Sequence, residues 1–272
     1  MPIRITNNIA SMNAQRQINR SSKGLNTALE RLSSGFRINK AGDDAAGLAI
    51  SEKLRANIRA LGQASRNASD GISMIQTAEG AMDETNNMLV RMKELAEQSA
   101  NGTLSDTERG FLSSEYRALH SEITRIADAT KFNETSLLDG TLDVDIQIGL
   151  SDGTNDTLNV TIGDVDAVAL SLTASISTVG DAQGALGTVT SAITTVATRR
   201  SDLGALQNRL ESIVNNLDTV VENLTAAESR IRDADIAAET ANLTKFSILT
   251  QAGVSILAQA NQSPMVALSL LG

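Results

Sequence analysis

Residues 189–231 read VTSAITTVATRRSDLGALQNRLESIVNNLDTVVENLTAAESRI, and apolar side chains recur in this stretch at every seventh position without a break. These positions are Val189, Val196, Leu203, Leu210, Leu217, Leu224 and Ile231. A companion line carries Leu186, Ile193, Val214 and Val221. A sustained seven-residue apolar repeat is typical of a helix that packs along another helix. The stretch therefore predicts a long helix that needs a partner.

The predicted partner is a second long helix in the first half of the chain. It begins near Asp43 or Asp44, either of which can act as its N-cap, and it ends near Ala100, before Asn101-Gly102-Thr103. Its seam line is Leu61, Ala68, Ile75, Met82, Leu89 and Ala96, with Ile58, Ser65 and Ile72 as part of a second line. A helix of this length spans about 85 Å, so the sequence predicts an elongated molecule.

Between these two helices lie a third helix and a β-hairpin. Ser105 and Glu108 have capping-box spacing, and the apolar positions that follow predict a helix antiparallel to the one before it. Apolar and polar residues then alternate on either side of a Ser-Asp-Gly-Thr turn, which predicts a hairpin over 142–162. Residues 130–140 are interpreted as irregular, and 163–182 as a surface loop without periodicity.

The composition supports a helical core. Aromatic residues make up only 2% of the chain and Trp is absent, so the core must be built from Ala, Leu, Ile, Val and Met. The predicted fold is mostly α, an elongated antiparallel coiled-coil or helical bundle that pairs the N- and C-terminal halves, with a small β-hairpin at its tip.

The charge of the chain is unevenly distributed. The net charge is −9, but residues 1–66 carry 11 Lys and Arg against 4 Asp and Glu, a net charge of +7. These basic residues are not interleaved with aromatic residues that could stack on bases, so we do not expect nucleic-acid binding. No apolar run is long enough for a membrane span, and the N-terminus lacks the apolar region of a cleavable signal.

The two ends of the chain are unusual in their apolar content. Residues 240–272 contain one charge, Lys245, and an apolar tail of this length needs to be covered. Its large apolar members are Phe246, Leu249, Ile256, Leu257, Leu268, Leu270 and Leu271. Residues 1–34 carry a thin stripe with Ile3, Ile5, Ile9, Leu25, Leu29 and Leu32. Because this stripe cannot cover the tail alone, burial between subunits is expected, and with it disorder of both ends in the monomer.

The residues that usually carry chemistry are scarce. There is no Cys, and the single His120 has no partner for a zinc site. The glycines of residues 42–47 are followed by Leu48-Ala49 instead of Lys-Ser or Lys-Thr, which excludes a phosphate loop. Asp143 and Asp145 lack the rest of a calcium loop and are interpreted as a solvent-facing strand edge. We expect no catalytic, cofactor or metal site, and the protein is predicted not to be an enzyme.

Several strings resemble bacterial flagellin. They are ITNNIASMNA (5–14), LSSGFRINKAGDDAAGLAI (32–50), RMKELAEQSANGT (91–103), QAG (251–253), LAQANQ (257–262) and LSLL (268–271). The resemblance covers about residues 1–140 and 185–272. It implies an inner domain of 1–34 with 234–272, a connector of 35–44, and a rod of 45–140 with 183–233. Residues 141–182 then leave room only for the hairpin and a loop, as in a minimal flagellin with a thin, smooth filament.

The resemblance also implies function, partners and location. A flagellin is a structural subunit that polymerises into the extracellular flagellar filament used for swimming. Expected partners are further copies of itself, a flagellin export chaperone that wraps the C-terminal tail, the type III flagellar export apparatus, and the filament cap and junction proteins. A hook–filament junction protein is the alternative, since it shares the pairing of chain ends. A cytoplasmic coiled-coil signalling protein would leave the apolar tail and the hairpin unexplained.

A host partner is implied as well. The string from Leu89 to Thr103 resembles the patch through which many flagellins contact Toll-like receptor 5. Arg91, Leu95 and Glu115 match the receptor-contacting positions, with Leu89 and Glu94 beside them. The seam runs through Leu89 and Ala96, so Arg91 is expected to be exposed, where it could contact a receptor or a neighbouring subunit.

Overall fold

The structure is a computed structural model that describes the backbone of residues 7–269 and the side chains of residues 7–262. In chain order its elements are α1 (Ile9–Ser34), α2 (Ala45–Ala100), α3 (Asp106–Ala129), β1 (Lys131–Phe132), β2 (Thr135–Ser136), β3 (Asp143–Gln147), β4 (Thr157–Thr161), α4 (Val179–Arg232) and α5 (Ile236–Ser269). The predicted mostly helical fold with a β-hairpin is confirmed. Ile3, Ile5, Leu270, Leu271 and the side chain of Leu268 lie outside the described residues.

The chain divides into two compact units. The first combines the residues up to Ala56 with those from Asn223 onward, and the second comprises residues 57–222. Both α2 and α4 cross the boundary between the units, so the seam of each unit is described separately below.

In the second unit, α2 and α4 pack together as the heptads predict. All six predicted seam residues of α2 are buried, as are Val189, Val196, Leu203, Leu210 and Leu217 of α4. Arg200 bonds Asp83 at 2.8 Å, and Ser65 bonds Asp218 at 3.4 Å. Since the partner of the later residue in α2 comes earlier in α4, the two helices are antiparallel in this unit.

The second seam line of α2 differs from the prediction. Ile58, Ser65 and Ile72 are only half-buried, whereas Ala64 and Gly71, one position before Ser65 and Ile72, are buried. The buried line is Ala64, Gly71, Ala78, Thr85, Met92 and Ser99. Small side chains on this line leave room for neighbouring elements: a Cβ at Gly71 would lie 2.4 Å from Cδ1 of Ile146 on β3. Hydrophobicity alone favoured the wrong line because the buried residues are mostly small.

The predicted hairpin is present within one residue of its expected ends. Val144 pairs with Val160 and Ile146 with Leu158 in an antiparallel register. Ile146, Leu158 and Val160 point into the core of the second unit, and Asn67 on α2 donates to the carbonyl of Gln147 at 3.0 Å. The segment interpreted as irregular, 130–140, contains a second, two-residue hairpin of β1 and β2 with Leu137 and Leu138 buried behind it.

The prediction of a surface loop over 163–182 is wrong. Most of its large apolar residues, Val165, Leu170, Leu172 and Ile176, are buried in the core of the second unit together with Ala167 and Ala182, whereas Val168 is exposed. Ser99 on α2 donates to the carbonyl of Ile176 at 2.6 Å, and Ser113 on α3 bonds Ser175 at 3.2 Å. Residues 163–178 therefore form a covering strap across α2 and α3, and α4 begins directly after this strap at Val179.

The turn from α2 to α3 is organised by Arg109. This side chain is 6% exposed, and its guanidinium donates to the carbonyls of Ser99 and Asn101 at 2.8 Å and of Leu104 at 2.6 Å. Carbonyls at the C-terminal end of a helix have no partner within the helix, so a buried cation satisfies them. The predicted capping box of Ser105 and Glu108 opens α3 on the other side of the turn.

Candidate functional site

The helices at the two ends of the chain, α1 and α5, form an antiparallel pair in the first unit. Asn8 donates to the carbonyl of Ala260 at 2.7 Å near one end of the pair. Near the other end, Arg31 bonds Glu239 at 2.8 Å. The early residues of α1 thus lie beside the late residues of α5. This confirms the predicted packing of the terminal helices, and the two ends of the chain make one surface.

Small residues form the seam of this pair. The buried residues of α1 are Ala14, Ser21 and Ala28, which recur every seven positions. A Cβ at Gly24 would lie 2.6 Å from the ring of Phe246, and a Cβ at Gly253 would lie 2.7 Å from Ile18. The seam therefore buries little large side-chain area. The stripe predicted for α1 consists of large apolar residues and does not include this line, although the seven-residue spacing of Ala14, Ser21 and Ala28 is visible in the sequence.

Most of the large apolar residues predicted for assembly are not in the seam. Of these predicted residues, Ile9, Leu29, Leu249 and Ile256 are exposed, and together with the other exposed large apolar side chains of the two helices they form what we call the exposed terminal set. It comprises Ile9, Met12 and Leu29 on α1, and Ile236, Ile248, Leu249, Val254 and Ile256 on α5. Leu25, Leu32, Phe246 and Leu257 are half-buried. Ile9 and Ile256 are 59% and 60% exposed, so the pair leaves apolar area in contact with water even after its two helices have packed.

The connector between α1 and α2 is held on the link between α4 and α5. Gly35 ends α1 in the left-handed conformation, with φ of 76°, and its carbonyl accepts from Ala234 N–H at 2.9 Å. The guanidinium of Arg232 lies 4.6 Å from the centre of the Phe36 ring, and it bonds Glu52 at 3.0 Å. Asp44 accepts from Gly47 N–H at 2.8 Å and is therefore the N-cap of α2.

The residues predicted to contact a receptor separate into two groups. Arg91 on α2 donates to Glu115 on α3 at 2.8 and 2.9 Å, and to Glu94 at 2.9 Å, and all three side chains are about half exposed. The hydrogen bonds that Arg91 donates to Glu94 and then to Glu115 raise the pKa of Arg91 above its ordinary value. We call Arg91, Glu94 and Glu115 the charged trio, an exposed cluster that spans two helices.

Leu89 and Leu95 are not part of this surface. They are 0% and 1% exposed, because they lie in the seam of α2, so neither can touch a partner while the second unit is folded. Their assignment as receptor contacts is corrected accordingly. Leu89 lies on the first seam line and Leu95 lies directly beside the second one, and both of those lines are buried where α3 and the strap cover α2.

Other candidate sites offer no further chemistry within the part of the chain that the structure describes. Asn159 donates to Asp143 at 2.6 Å and to Asp145 at 3.0 Å, so these carboxylates are bound by a cross-strand amide. No group of three or more His, Asp or Glu residues is arranged to hold a metal ion among residues 7–269. In the same residues, no helix combines the length and hydropathy that crossing a membrane would require.

Comparison with known proteins connects this architecture to one family. Residues 5–143 match the bacterial flagellin N-terminal helical region, and residues 186–271 match the bacterial flagellin C-terminal helical region. A flagellin of Halalkalibacterium halodurans is 50% identical, over 98% of this chain and 99% of its own. A flagellin of Bacillus subtilis is 44% identical, over 99% of this chain and its full length.

Solved structures agree with these matches. A crystal structure of Bacillus cereus flagellin covers 60% of this chain and 94% of its own, at 34% identity and a TM-score of 0.51. A provisionally named flagellar hook-associated protein of Vibrio parahaemolyticus has a TM-score of 0.61 over 70% of this chain and 100% of its own. Its identity is only 14%, so that likeness shows the fold alone.

Proposed function

The chain belongs to the bacterial flagellin family and is a structural subunit of the flagellar filament, and on that premise we propose which of its surfaces assemble the filament. The exposed terminal set is buried between subunits, where each subunit's α1 and α5 contact those of its neighbours. The assembled filament lies outside the cell, as the family relationship implies. Since α1 and α5 meet through small residues, the pair is narrow and its large side chains remain free for neighbours.

One observation carries this proposal. Among the side chains that the structure describes, eight large apolar ones of α1 and α5 are exposed in the single chain, although the helices that carry them are already paired. Burying one such side chain contributes about 1.5–3 kcal/mol. A contact that repeats along a helical array uses every copy of this surface, and the polymer remains open-ended.

Salt-induced polymerisation of two matched variants tests the proposal. Val254 on α5 and Val168 in the strap are both exposed valines, at 55% and 76%. Val254→Ser should raise the monomer concentration in equilibrium with filaments by about tenfold or more, the factor expected for one buried valine. Val168→Ser should leave that concentration unchanged. Equal behaviour of the two variants, measured by sedimentation and electron microscopy, would contradict the assignment of α5 to the interface.

We also propose that the C-terminal tail is covered before export. Phe246, Leu249, Ile256 and Leu257 lie on one helix and are exposed or half-buried, which suits a chaperone that receives a helix in an apolar groove. The export apparatus, the filament cap and the junction proteins then act on a chain whose ends have not yet been buried. Deleting residues 250–272 should abolish binding of the chaperone and assembly together. Unchanged chaperone affinity of the truncated chain would place the binding segment elsewhere.

A third proposal concerns the host receptor. The charged trio is exposed and held by bonds between α2 and α3, so Arg91 is preorganised for contact with Toll-like receptor 5. Arg91→Ala should weaken receptor binding by about 2 kcal/mol, the size of a hot-spot contact. Arg125 is the matched control, since it is an exposed arginine on α3 paired with Glu122 at 2.6 Å. If Arg91→Ala and Arg125→Ala titrate the receptor ectodomain with equal affinity, Arg91 is not a contact.

A further inference from the structure

The turn between α2 and α3 contains the only Asn-Gly pair of the chain, Asn101-Gly102. Both residues are exposed, directly after the last residue of α2, Ala100. We infer that this pair is a site of spontaneous deamidation, and that the folded turn accelerates the reaction. Three features carry the inference: the freedom of the Gly102 amide, the position of the Asn101 side chain, and the buried cation of Arg109.

The Gly102 N–H is free to act as the nucleophile. It donates to no acceptor among the described residues, although the turn contains several other backbone hydrogen bonds. A Cβ at position 102 would meet no atom within 4 Å, so the approach to this nitrogen is open. Glycine also adds no side chain that would hinder ring closure.

The Asn101 side chain is folded toward its own backbone. Its Oδ1 accepts from Thr103 N–H at 3.2 Å, which forms a turn closed by the side chain. The ring that this bond closes contains both Cγ of Asn101 and the nitrogen of Gly102, so the bond keeps the two reacting atoms within one turn. It also withdraws electron density from the side-chain amide carbon and stabilises the oxyanion that forms at Oδ1 when that carbon is attacked.

Arg109 assists from the other side of the same peptide group. Its Nη1 donates to the carbonyl oxygen of Asn101 at 2.8 Å. That oxygen shares the resonance of the amide with Gly102 N, so the negative charge of a deprotonated Gly102 amide is spread onto it. A buried guanidinium bonded to this oxygen therefore favours loss of the Gly102 proton.

The reaction needs only water and a solvent base. The base removes the Gly102 amide proton, and the nitrogen attacks Cγ of Asn101 to form a five-membered ring. The Cγ–Nδ2 bond then breaks, and the amide nitrogen leaves as ammonia after taking a proton. Water opens the resulting succinimide at either carbonyl and leaves aspartate or isoaspartate. No electrons are transferred to or from another reactant.

The product changes the turn that promoted it. Isoaspartate adds one methylene to the main chain between Ser99 and Leu104, whose carbonyls Arg109 holds together with that of Asn101. The longer main chain cannot keep all three carbonyls on one guanidinium. The fraction of subunits converted at Asn101 therefore increases with their age, and the reaction loosens the α2–α3 turn.

The test compares the folded full-length chain with the same chain unfolded in urea, at equal mildly alkaline pH. Mass spectrometry of proteolytic fragments measures the conversion of Asn101 to acid, and resolves aspartate from isoaspartate by retention. We expect Asn101 to react roughly tenfold faster in the folded chain, the factor that one charge-assisted hydrogen bond provides. Equal or slower reaction of the folded chain would overturn the inference.

Two variants locate the cause. Gly102→Ala has open space for its methyl group and should fold normally while slowing the reaction at Asn101 several-fold. Arg109→Lys, if circular dichroism shows it folded, should retain the reaction but lose most of the acceleration over the urea-unfolded chain. Full acceleration without the guanidinium would remove Arg109 from the mechanism. If this variant does not fold, the comparison of folded and unfolded wild-type chain still decides the outcome.

Discussion

The paired terminal helices and the core of residues 57–222 are both built on seven-residue repeats, but they bury different kinds of residue. In the core, α2 and α4 bury Met82, Leu89 and Leu203 within a closed apolar cluster. In the terminal pair, α1 buries Ala14, Ser21 and Ala28, while the exposed terminal set faces water. The core buries its large apolar side chains within its own fold, whereas the terminal pair leaves many of its large apolar side chains exposed.

This difference indicates where stability resides before and after assembly. Stabilisation by burial scales with the apolar area removed from water, so the seam of small residues contributes far less per turn than the core seam. Helices that bury little area alone are marginal in water. We therefore expect the core to fold in the monomer and the terminal pair to become stable when neighbours cover it.

Hydrogen exchange on soluble monomer should show the largest effect. Amides of residues 240–260 should exchange almost as fast as in an unfolded chain. Amides near Met82 and Leu203 should be slower by several orders of magnitude, because exposing them requires global unfolding at about 5–15 kcal/mol. Strong protection of 240–260 before assembly would show that the terminal pair is stable alone and would remove the contrast between the two regions.

Truncation of a core residue should give the next largest effect. Leu89→Ala leaves a cavity in a fully buried seam and should lower the free energy of unfolding of the monomer by about 2–5 kcal/mol. Val90, the next residue on α2, is 44% exposed, so Val90→Ala should change that free energy by less than about 0.5 kcal/mol. Urea denaturation of both variants measures the difference. If both variants lost a similar free energy of unfolding, the buried seam of α2 would not be a main source of the stability of the core.

The ion pair between α1 and α5 tests the terminal pair in the filament. Glu239 is 9% exposed and bonds Arg31. Glu239→Gln leaves that cation with a weaker partner and should cost about 1–3 kcal/mol per subunit. The exposed pair of Lys40 and Glu30 provides the control, and Glu30→Gln should cost less than about 1 kcal/mol. The monomer concentration in equilibrium with filaments gives both values, and equal costs would contradict a structural role for the pair of Arg31 and Glu239.

A pH effect at the start of α3 should be the smallest of these changes. The pKa of Glu108 lies below its ordinary value, because the Ser105 backbone N–H and then the Ser105 hydroxyl donate to its carboxylate. A lowered pKa means that the stabilisation is present above the unfolded pKa and is lost as the pH falls through the folded one. Amide protection in the first turn of α3 should therefore weaken slightly at acidic pH. Glu108→Gln should remove this pH dependence, and an unchanged profile would exclude the carboxylate as its origin.

The sequence by itself determined the helices, the hairpin and the main seam. The period of the apolar residues and the capping residues of a helix are properties of one segment, so they can be recognised without knowing what packs against it. This is how the sequence predicted the seam line from Leu61 to Ala96, the capping box of Ser105 and Glu108, and the hairpin over 142–162. The apolar ends of the chain were also visible as a region that needs covering. The exposure of Arg91 could also be predicted, because the spacing of the seam residues places it on the solvent side of α2. Arg91 lies on one surface with Glu94 and Glu115, two further predicted receptor residues.

Only the tertiary structure decided which side chains the neighbouring elements cover. Ala64, Gly71 and Ala78 form the second line of α2 because the hairpin and α4 approach closely there, and small residues carry little hydropathy signal. The strap over 163–178 has no period, since its burial depends on the surface of α2 and α3 beneath it. Leu95 and Arg109 are enclosed for the same reason. Periodicity shows how a helix can pack, whereas burial depends on residues distant in sequence, and only folding brings those together.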